Sequence, residues 1–272
     1  AKQDRIKSII NEKRVKLHLF NPSKREIWTI VGKEKEHWID PNSNFCSCSG
    51  YYFGMIKNKT PCYHLESIFK AKKENIFIEA FFMEPVMGEG NPGQAITPEF
   101  YKRARELTQK NGTLLLIDSI QAGLRAHGVL SIIDYPGFEG LDCPDMETYS
   151  KALNAGQYPL SVLAMTGKAA ELYRSGLYGN TMTTNPRALD VAIAVLENLS
   201  PNIRKNISER GKELVTKLSA LDEELNGDIT NVQGTGLLAS CELNNHFKCS
   251  GSNSTEEYLR KHGLGVIHGG VN

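Results

Sequence analysis

The sequence predicts an α/β protein whose main part is a parallel sheet, preceded by a small module of short antiparallel strands and a helix. One observation is Thr113–Ile117, an apolar run that ends on Asp118, as is typical of a buried parallel strand. Another is the order of an apolar strand at 76–83, a helix from Pro98 and this run, which predicts a right-handed βαβ unit. The expected divisions are residues 1–74, 75–199 and 200–272.

Apolar periodicity and turn signals predict the remaining elements of the main part. Thr97 is the expected N-cap of the helix that starts at Pro98 and runs to about Gln109, and Asn111-Gly112 ends it. A small C-terminal α+β domain is expected to begin near Ser200. We also expect strands at Pro144–Ser150 and Pro159–Met165, helices at Arg187–Leu199 and Ile203–Leu225, and a glycine turn into a strand at Gly234–Cys241.

Two reactive side chains follow neighbouring predicted strands. Asp118 comes directly after one strand, and Lys151 comes directly after the next. In open α/β sheets, ligands bind beyond the carboxyl ends of the strands. A carboxylate and a lysine at that edge suit a cationic heteroaromatic cofactor held as a Schiff base.

Four segments resemble motifs of the class III (ω-amino acid type) aminotransferases, and they occur in the order of that family. They are Glu84–Gly90, Asp118–Arg125, Ser150–Gly156 and Asn180–Pro186. Each motif alone would be weak, but four in order at sensible spacing are a strong signal. The resemblance covers about residues 75–272. It implies the large domain of a type I pyridoxal-phosphate-dependent transferase.

The resemblance also implies the roles of five residues. Lys151 would form the Schiff base with pyridoxal phosphate and act as the general acid and base. Asp118 would pair with the protonated ring nitrogen, and Gln121 would hydrogen-bond the ring oxygen. Thr181 would donate to the phosphate of a neighbouring subunit's cofactor, which implies a homodimer, and Glu89 would be a substrate-gating carboxylate.

Some features of the resembled family lack a match in this sequence. The family has a Ser/Gly-rich phosphate turn, whose nearest counterpart here, Ser49-Gly50-Tyr51, lies between cysteines and fits a metal module better. The arginine that usually pairs with the gate carboxylate would lie beyond Asn272, and Ser119 stands where the family commonly has glutamate. The active site is therefore expected to be incomplete in this chain.

The first 74 residues predict a separate module. Cys46 and Cys48 precede a gap of thirteen residues, and then Cys62 and His64 open a predicted helix. Three thiolates and an imidazole form a complete tetrahedral zinc set with no open position for catalysis. The alternative is four unconnected residues in a loop. Alternating polar and apolar residues predict strands at 14–20, 26–31 and 37–40.

The Cys-x-Cys and Cys-x-His pairs, with the strands before them, resemble the SWIM zinc-binding domain at about residues 14–70. That resemblance implies binding to DNA or to a protein partner. Positive charge that could contact phosphates is available nearby, although a solvated lysine-rich surface explains it equally well. The lysines are Lys57, Lys59, Lys70, Lys72 and Lys73.

Composition excludes several classes of function. The net charge of +1 with 23% charged residues gives no global field for nucleic acid or anionic membranes. No run approaches the roughly 18 apolar residues of a membrane span, and residues 1–5 lack the apolar core of a signal peptide. The six cysteines are unevenly spaced, so a disulfide framework is not expected and a reducing cytoplasm fits best.

Two functions therefore follow from the sequence. The first is a pyridoxal-phosphate-dependent aminotransferase that moves an amino group from an amino acid or diamine to a keto acid through Lys151. The second is a non-catalytic SWIM zinc-finger protein that binds DNA or a protein and retains a relic or fragmentary aminotransferase fold. The strength of the Asp118 and Lys151 motifs favours the first.

Overall fold

The computed structural model describes residues 2–20, 23–32, 35–72, 78–176 and 183–269, and for residues 55–58 it describes the backbone alone. The chain divides into two compact units, Ala1–Ala80 and Phe81–Asn272. The finer division expected at residues 199/200 stays a prediction. None of the helices in the described ranges is long and apolar enough to cross a membrane.

Among its described residues, the first unit has a four-stranded antiparallel sheet, in the order β1-β2-β3-β4, and three helices. The three predicted strands and the predicted helix after Cys62 are confirmed, whereas α1, β4 and α2 were not predicted. The elements are α1 (Lys2–Asn11), β1 (Val15–Phe20), β2 (Arg25–Val31), β3 (Glu36–Asp40), β4 (Phe45–Cys46), α2 (Ser49–Asn58) and α3 (Tyr63–Ala71).

The core of the first unit forms where alternate strand residues meet one face of each helix. Trp28, Ile30 and Ile39 are buried together with Ile9 of α1 and Ile68 of α3. Period-two alternation along β2 and helical spacing along α3 direct these side chains to the same interior. The core includes the three cysteines at 46, 48 and 62, so the candidate metal ligands lie inside it.

The second unit contains a four-stranded sheet, a two-stranded hairpin and five helices among its described residues, together with two 3₁₀ turns at Ile132–Asp134 and Lys151–Asn154. Its strands and helices are β5 (Ala80–Met83), α4 (Pro98–Asn111), β6 (Leu114–Asp118), β7 (Met146–Tyr149), β8 (Val162–Met165), α5 (Gly167–Ala170), α6 (Pro186–Asn198), α7 (Pro201–Glu224), β9 (Ile229–Thr235), β10 (Leu238–Leu243) and α8 (Thr255–Lys261).

The main sheet has the order β5-β6-β7-β8, and β6 and β7 are parallel with Asp118 opposite Thr148. The expectation of a parallel sheet was wrong for β8, which runs antiparallel to β7. The physical reason lies in residues 150–161, all described, where the only helix is the four-residue 3₁₀ turn. A parallel partner needs a crossover that is usually an α-helix, and this connection contains none.

Helix α4 follows its predicted signals closely. The Thr97 hydroxyl accepts a hydrogen bond from the Phe100 amide (3.1 Å), Pro98 occupies the first turn, and Gly112 ends the helix with φ of +69°. Tyr101 of α4 is buried against Leu115 of β6 in the main core of the second unit. This packing holds β6 in place.

The hairpin β9–β10 fastens the loop that follows β5. Gln233 donates to the Pro92 carbonyl (3.0 Å), Thr235 to the Gly93 carbonyl (2.9 Å) and Ser240 to the Pro92 carbonyl (2.5 Å). The predicted glycine turn and following strand are confirmed as Gly236 and β10, although β9 was not predicted.

Candidate functional site

Asp118 ends β6, and its side chain is fixed by two hydrogen bonds. Its Oδ1 accepts from the Ile120 amide (3.1 Å) and from the Thr148 hydroxyl (3.3 Å) on β7. The Ser119 amide donates to the Thr148 carbonyl (3.0 Å), which extends the pairing of the two strands by one residue. The carboxylate is therefore held at the carboxyl edge of the sheet, half-buried.

Lys151 follows β7 at the same edge and begins a 3₁₀ turn. Its φ of +47° lies in the left-handed region, which costs a non-glycine residue free energy and often occurs at functional sites. Asn154, 1% exposed, anchors this turn, because it donates to the Ala188 carbonyl (2.7 Å) and accepts from the Tyr158 amide (2.5 Å). The Lys151 side chain is exposed and accessible to a ligand.

Glu84, which was not singled out from the sequence, is a third charged group at this site. Burial raises its pKa most, and the charges of Asp118 and Glu89 raise it further, while Lys151 and a hydrogen bond from the Gly88 amide (2.5 Å) oppose the rise. Glu84 follows the apolar strand β5 as Asp118 follows β6, so the same sequence signal could have identified it.

Gln121 and Glu89 contact each other. Gln121 Nε2 lies 3.3 Å from Glu89 Oε1; Glu89 is exposed and Gln121 is partly buried. A Cβ added at Gly88 would lie 2.5 Å from the Gln121 amide, so the loop approaches Gln121 only because residue 88 is glycine. Thr181, the remaining predicted cofactor residue, lies outside the described residues.

Glu147 is a buried carboxylate on β7 that the sequence analysis missed, because an apolar residue is the usual occupant of such a strand. It is 3% exposed and accepts from the hydroxyls of Ser119 (2.6 Å) and Ser131 (2.7 Å) and from the Ile132 amide (3.1 Å). Burial raises the pKa of Glu147, and these donors oppose that rise.

The two described cavities lie away from this edge. A cavity of about 440 Å³ is lined by the loop at Asn91 and by polar residues of the hairpin, including Gln233 and Ser240. A second, of about 390 Å³, is lined by residues 245–250 and His268. Neither is lined by Asp118 or Lys151. At the candidate cofactor site, Lys151 is exposed and Asp118 is half-buried.

The four predicted metal ligands of the first unit meet in one cluster. The ligand atoms of Cys46, Cys48, Cys62 and His64 lie within 4.8 Å of one another, and all four residues are buried. Ligands bound tetrahedrally to one zinc ion at about 2.3 Å are about 3.8 Å apart, so a contraction of about 1 Å would close the cluster. The arrangement suits one metal ion.

Backbone amides and neighbouring rings support the sulfur atoms. Cys48 Sγ accepts from the Tyr51 amide (3.2 Å), and Cys62 Sγ caps α3 by accepting from the Leu65 amide (3.5 Å). A hydrogen bond from the Cys46 thiol lowers the pKa of Cys62, and His64 and the Leu65 amide lower it further. The His37 ring lies 4.6 Å from the His64 ring, centroid to centroid. Amide donors of this kind stabilise thiolates, the form in which cysteine binds metals.

The sequence profile of the family described as aminotransferase class-III matches residues 53–272. This chain belongs to the class-III aminotransferase family. The predicted family is therefore confirmed. The match begins inside α2, so it includes Cys62 and His64 but not Cys46 or Cys48.

Curated class-III relatives are similar over part of their length. An acetylornithine aminotransferase of Nostoc sp. is 32% identical over 169 residues, which are 61% of this chain and 38% of the relative. An ornithine aminotransferase of Bacillus cereus is 36% identical over 170 residues, which are 61% of this chain and 40% of the relative. The chain thus spans less than half the length of these relatives.

Solved aminotransferase structures share the fold. The ornithine aminotransferase of Toxoplasma gondii, which has pyridoxal phosphate at partial occupancy in its active site, has a TM-score of 0.55 and 28% identity, covering 74% of this chain and 46% of that one. The ornithine δ-aminotransferase of Plasmodium falciparum has a TM-score of 0.54 and 26% identity, covering 67% and 46%. The class-III chain is therefore built on the fold of pyridoxal-phosphate-dependent aminotransferases.

Proposed function

We propose that this chain binds pyridoxal phosphate and takes part in amino-group transfer between an amino acid or diamine and a keto acid. The observation that carries the proposal is the placement of Asp118 and Lys151 at the carboxyl ends of two adjacent parallel strands, within family motifs. Ligands bind at that edge in open α/β sheets. The curated relatives are named ornithine and acetylornithine aminotransferases, which supports an amine of that class as the donor.

The residues at this edge fit the cofactor. Lys151 would hold it through Nζ, which the exposed side chain makes accessible, and Asp118 would keep its ring nitrogen protonated. Once bound, the cofactor supplies an electron sink for the substrate carbon. Gln121 would donate a hydrogen bond to the ring oxygen. Lys151 Nζ, once released, would accept the proton from the substrate carbon and return it. Glu89 would orient Gln121 and gate the substrate.

The proposal extends to a homodimer in a reducing cytoplasm. Thr181 would reach the cofactor phosphate of the second subunit, as the family resemblance implies. The uneven spacing of the six cysteines supports a reducing compartment.

We further propose that Cys46, Cys48, Cys62 and His64 bind one structural zinc ion in a SWIM-like module. The support is their burial as one cluster.

A non-catalytic protein that binds DNA or a protein through this module is the second candidate, and the family match makes it the less favoured. Of its proposed lysines, Lys59, Lys70 and Lys72 are exposed, and Lys72 Nζ also lies 5.3 Å from the centroid of the Trp28 ring. Lys73 and the Lys57 side chain lie outside the described residues.

The cofactor proposal is tested by incubating the chain with pyridoxal phosphate, reducing with borohydride and mapping the labelled peptide. We expect a visible absorbance band and a single adduct on Lys151. Lys151→Ala should lose the adduct, while Lys168→Ala, an exposed lysine of α5, should keep it. Random labelling of surface lysines, equal in both variants, would contradict the proposal.

A further inference from the structure

The burial of the Glu147 carboxylate requires an explanation other than packing. It lies 3% exposed on β7 with four donors directed at it, the hydroxyls of Ser119, Ser131 and Tyr149 and one backbone amide. Burying a carboxylate costs free energy unless hydrogen bonds compensate for the lost water. An apolar side chain at this position would avoid that cost. The groups that donate hydrogen bonds to Glu147 therefore indicate which segments this carboxylate holds in place.

Glu147 and Asp118 lie on opposite faces of the sheet. In the parallel pairing of β6 and β7, Ile117 is opposite Glu147 and Asp118 is opposite Thr148. Side chains alternate along a strand, so Asp118 and Thr148 share one face, where they hydrogen-bond at 3.3 Å. Glu147 points to the other face and contacts Ser119 there at 2.6 Å.

Ser119 is the residue through which Glu147 can act on the cofactor edge. It directly follows Asp118, is fully buried, and has its backbone held on both sides. Its amide donates to the Thr148 carbonyl (3.0 Å), and its carbonyl accepts from the Gly123 amide (2.8 Å). Its side chain is held by Glu147 alone among the described contacts.

We propose that Glu147 is a positioning residue: through Ser119 it fixes the turn of residues 118–121 that presents Asp118 and Gln121 to pyridoxal phosphate. The proposal rests on the proposed cofactor function. Removal of the Ser119 contact would leave Asp118 and Gln121 chemically intact but poorly placed. The second donor, Ser131, belongs to the separate segment before the Ile132 turn and provides a matched control.

The test compares Ser119→Ala with Ser131→Ala, because each removes one hydroxyl from the same carboxylate. We expect similar small decreases in the thermal midpoint. The dissociation constant for pyridoxal phosphate should rise about tenfold in Ser119→Ala and less than about twofold in Ser131→Ala. Glu147→Gln, which keeps an acceptor oxygen, should retain most of the affinity, whereas Glu147→Met should bind as weakly as Ser119→Ala.

Amide hydrogen exchange at residues 120–123, measured without cofactor, separates this inference from the cofactor function. Faster exchange in Ser119→Ala than in Ser131→Ala supports positioning even if the wild-type chain fails to bind pyridoxal phosphate. If the wild type binds but both serine variants match each other in affinity and exchange, Glu147 is only structural and the inference is overturned.

Discussion

Arg105 of α4 and Asp145, which precedes β7, form a buried bidentate ion pair with nitrogen–oxygen distances of 2.6 and 3.2 Å. The same Asp145 carboxylate accepts from the Leu115 amide of β6 (2.8 Å). One carboxylate thus joins the helix to the starts of both strands whose ends carry Asp118 and Lys151.

Loss of the arginine should leave the Asp145 carboxylate buried and uncompensated. We expect Arg105→Met to lower the free energy of unfolding of the second unit by about 3–5 kcal/mol, as is typical when one partner of a buried pair is removed. Urea denaturation measures it. Arg103→Ala, which breaks the exposed pair with Glu106, should cost less than about 1 kcal/mol. Equal effects in the two variants would contradict this assignment.

Glu84 should make stability depend on pH. Its folded-state pKa is raised, mainly by burial, so the folded chain binds more protons than the unfolded chain above about pH 4.3. Its contribution to stability is therefore full below that pH and is lost as pH rises through the folded pKa. Between about pH 5 and about pH 7.5, we expect the midpoint of urea denaturation to fall less in Glu84→Gln than in the wild type.

A control for the loss of one negative charge is Glu99→Gln, in the exposed first turn of α4. A pH profile for Glu84→Gln that coincides with the wild-type profile would show that Glu84 does not supply the slope.

Gly88→Ala should displace Gln121 without unfolding the chain. The added Cβ would lie 2.5 Å from Gln121 Cδ and Nε2, which form the end of a flexible, partly buried side chain. We expect pyridoxal phosphate to bind about three- to tenfold more weakly, with little change in thermal midpoint. Gln121→Ala should weaken binding similarly, and the double variant should be no weaker than either single one. Additive losses would refute the steric explanation.

The first unit should depend on its metal. We expect about one Zn²⁺ per chain by native mass spectrometry, lost in Cys62→Ser and retained in Cys143→Ser, whose cysteine is exposed and outside the cluster. A strong chelator should make residues 14–70 sensitive to protease while the second unit stays resistant, because the metal supplies folding energy to a small module. Unchanged proteolysis with chelator would contradict a structural zinc.

Local signals predicted much of the fold. The Thr97 cap, Pro98 and Gly112 act within one turn of α4, so the sequence contains both of its ends. The direction of β8 and the existence of β9 depend instead on pairing with the neighbouring strands β7 and β10, which the pattern within each segment does not determine. Helix α2 contains two glycines, which disfavour helices, and packing of Tyr51 against the cysteine core supports it.

The candidate site likewise includes residues that the local sequence predicts and residues that only the tertiary fold brings together. Asp118 and Lys151 were predicted because each follows an apolar strand, and the Cys/His cluster because its spacing is distinctive. Glu147 was missed because its partners, Ser119 and Ser131, are 28 and 16 residues away and only the tertiary fold brings them together.

The hydrogen bonds between the β9–β10 hairpin and the loop at Pro92 and Gly93 join residues 141 to 148 positions apart. Contacts at such separation raise the contact order and are slow to form, because closing a long chain segment costs entropy before the bonds compensate. The α4–β6 region can form early from its own neighbours. The loop that carries Glu89 reaches its final shape only after the hairpin has been synthesised and has docked, so completion of the substrate side of the site is a late folding event.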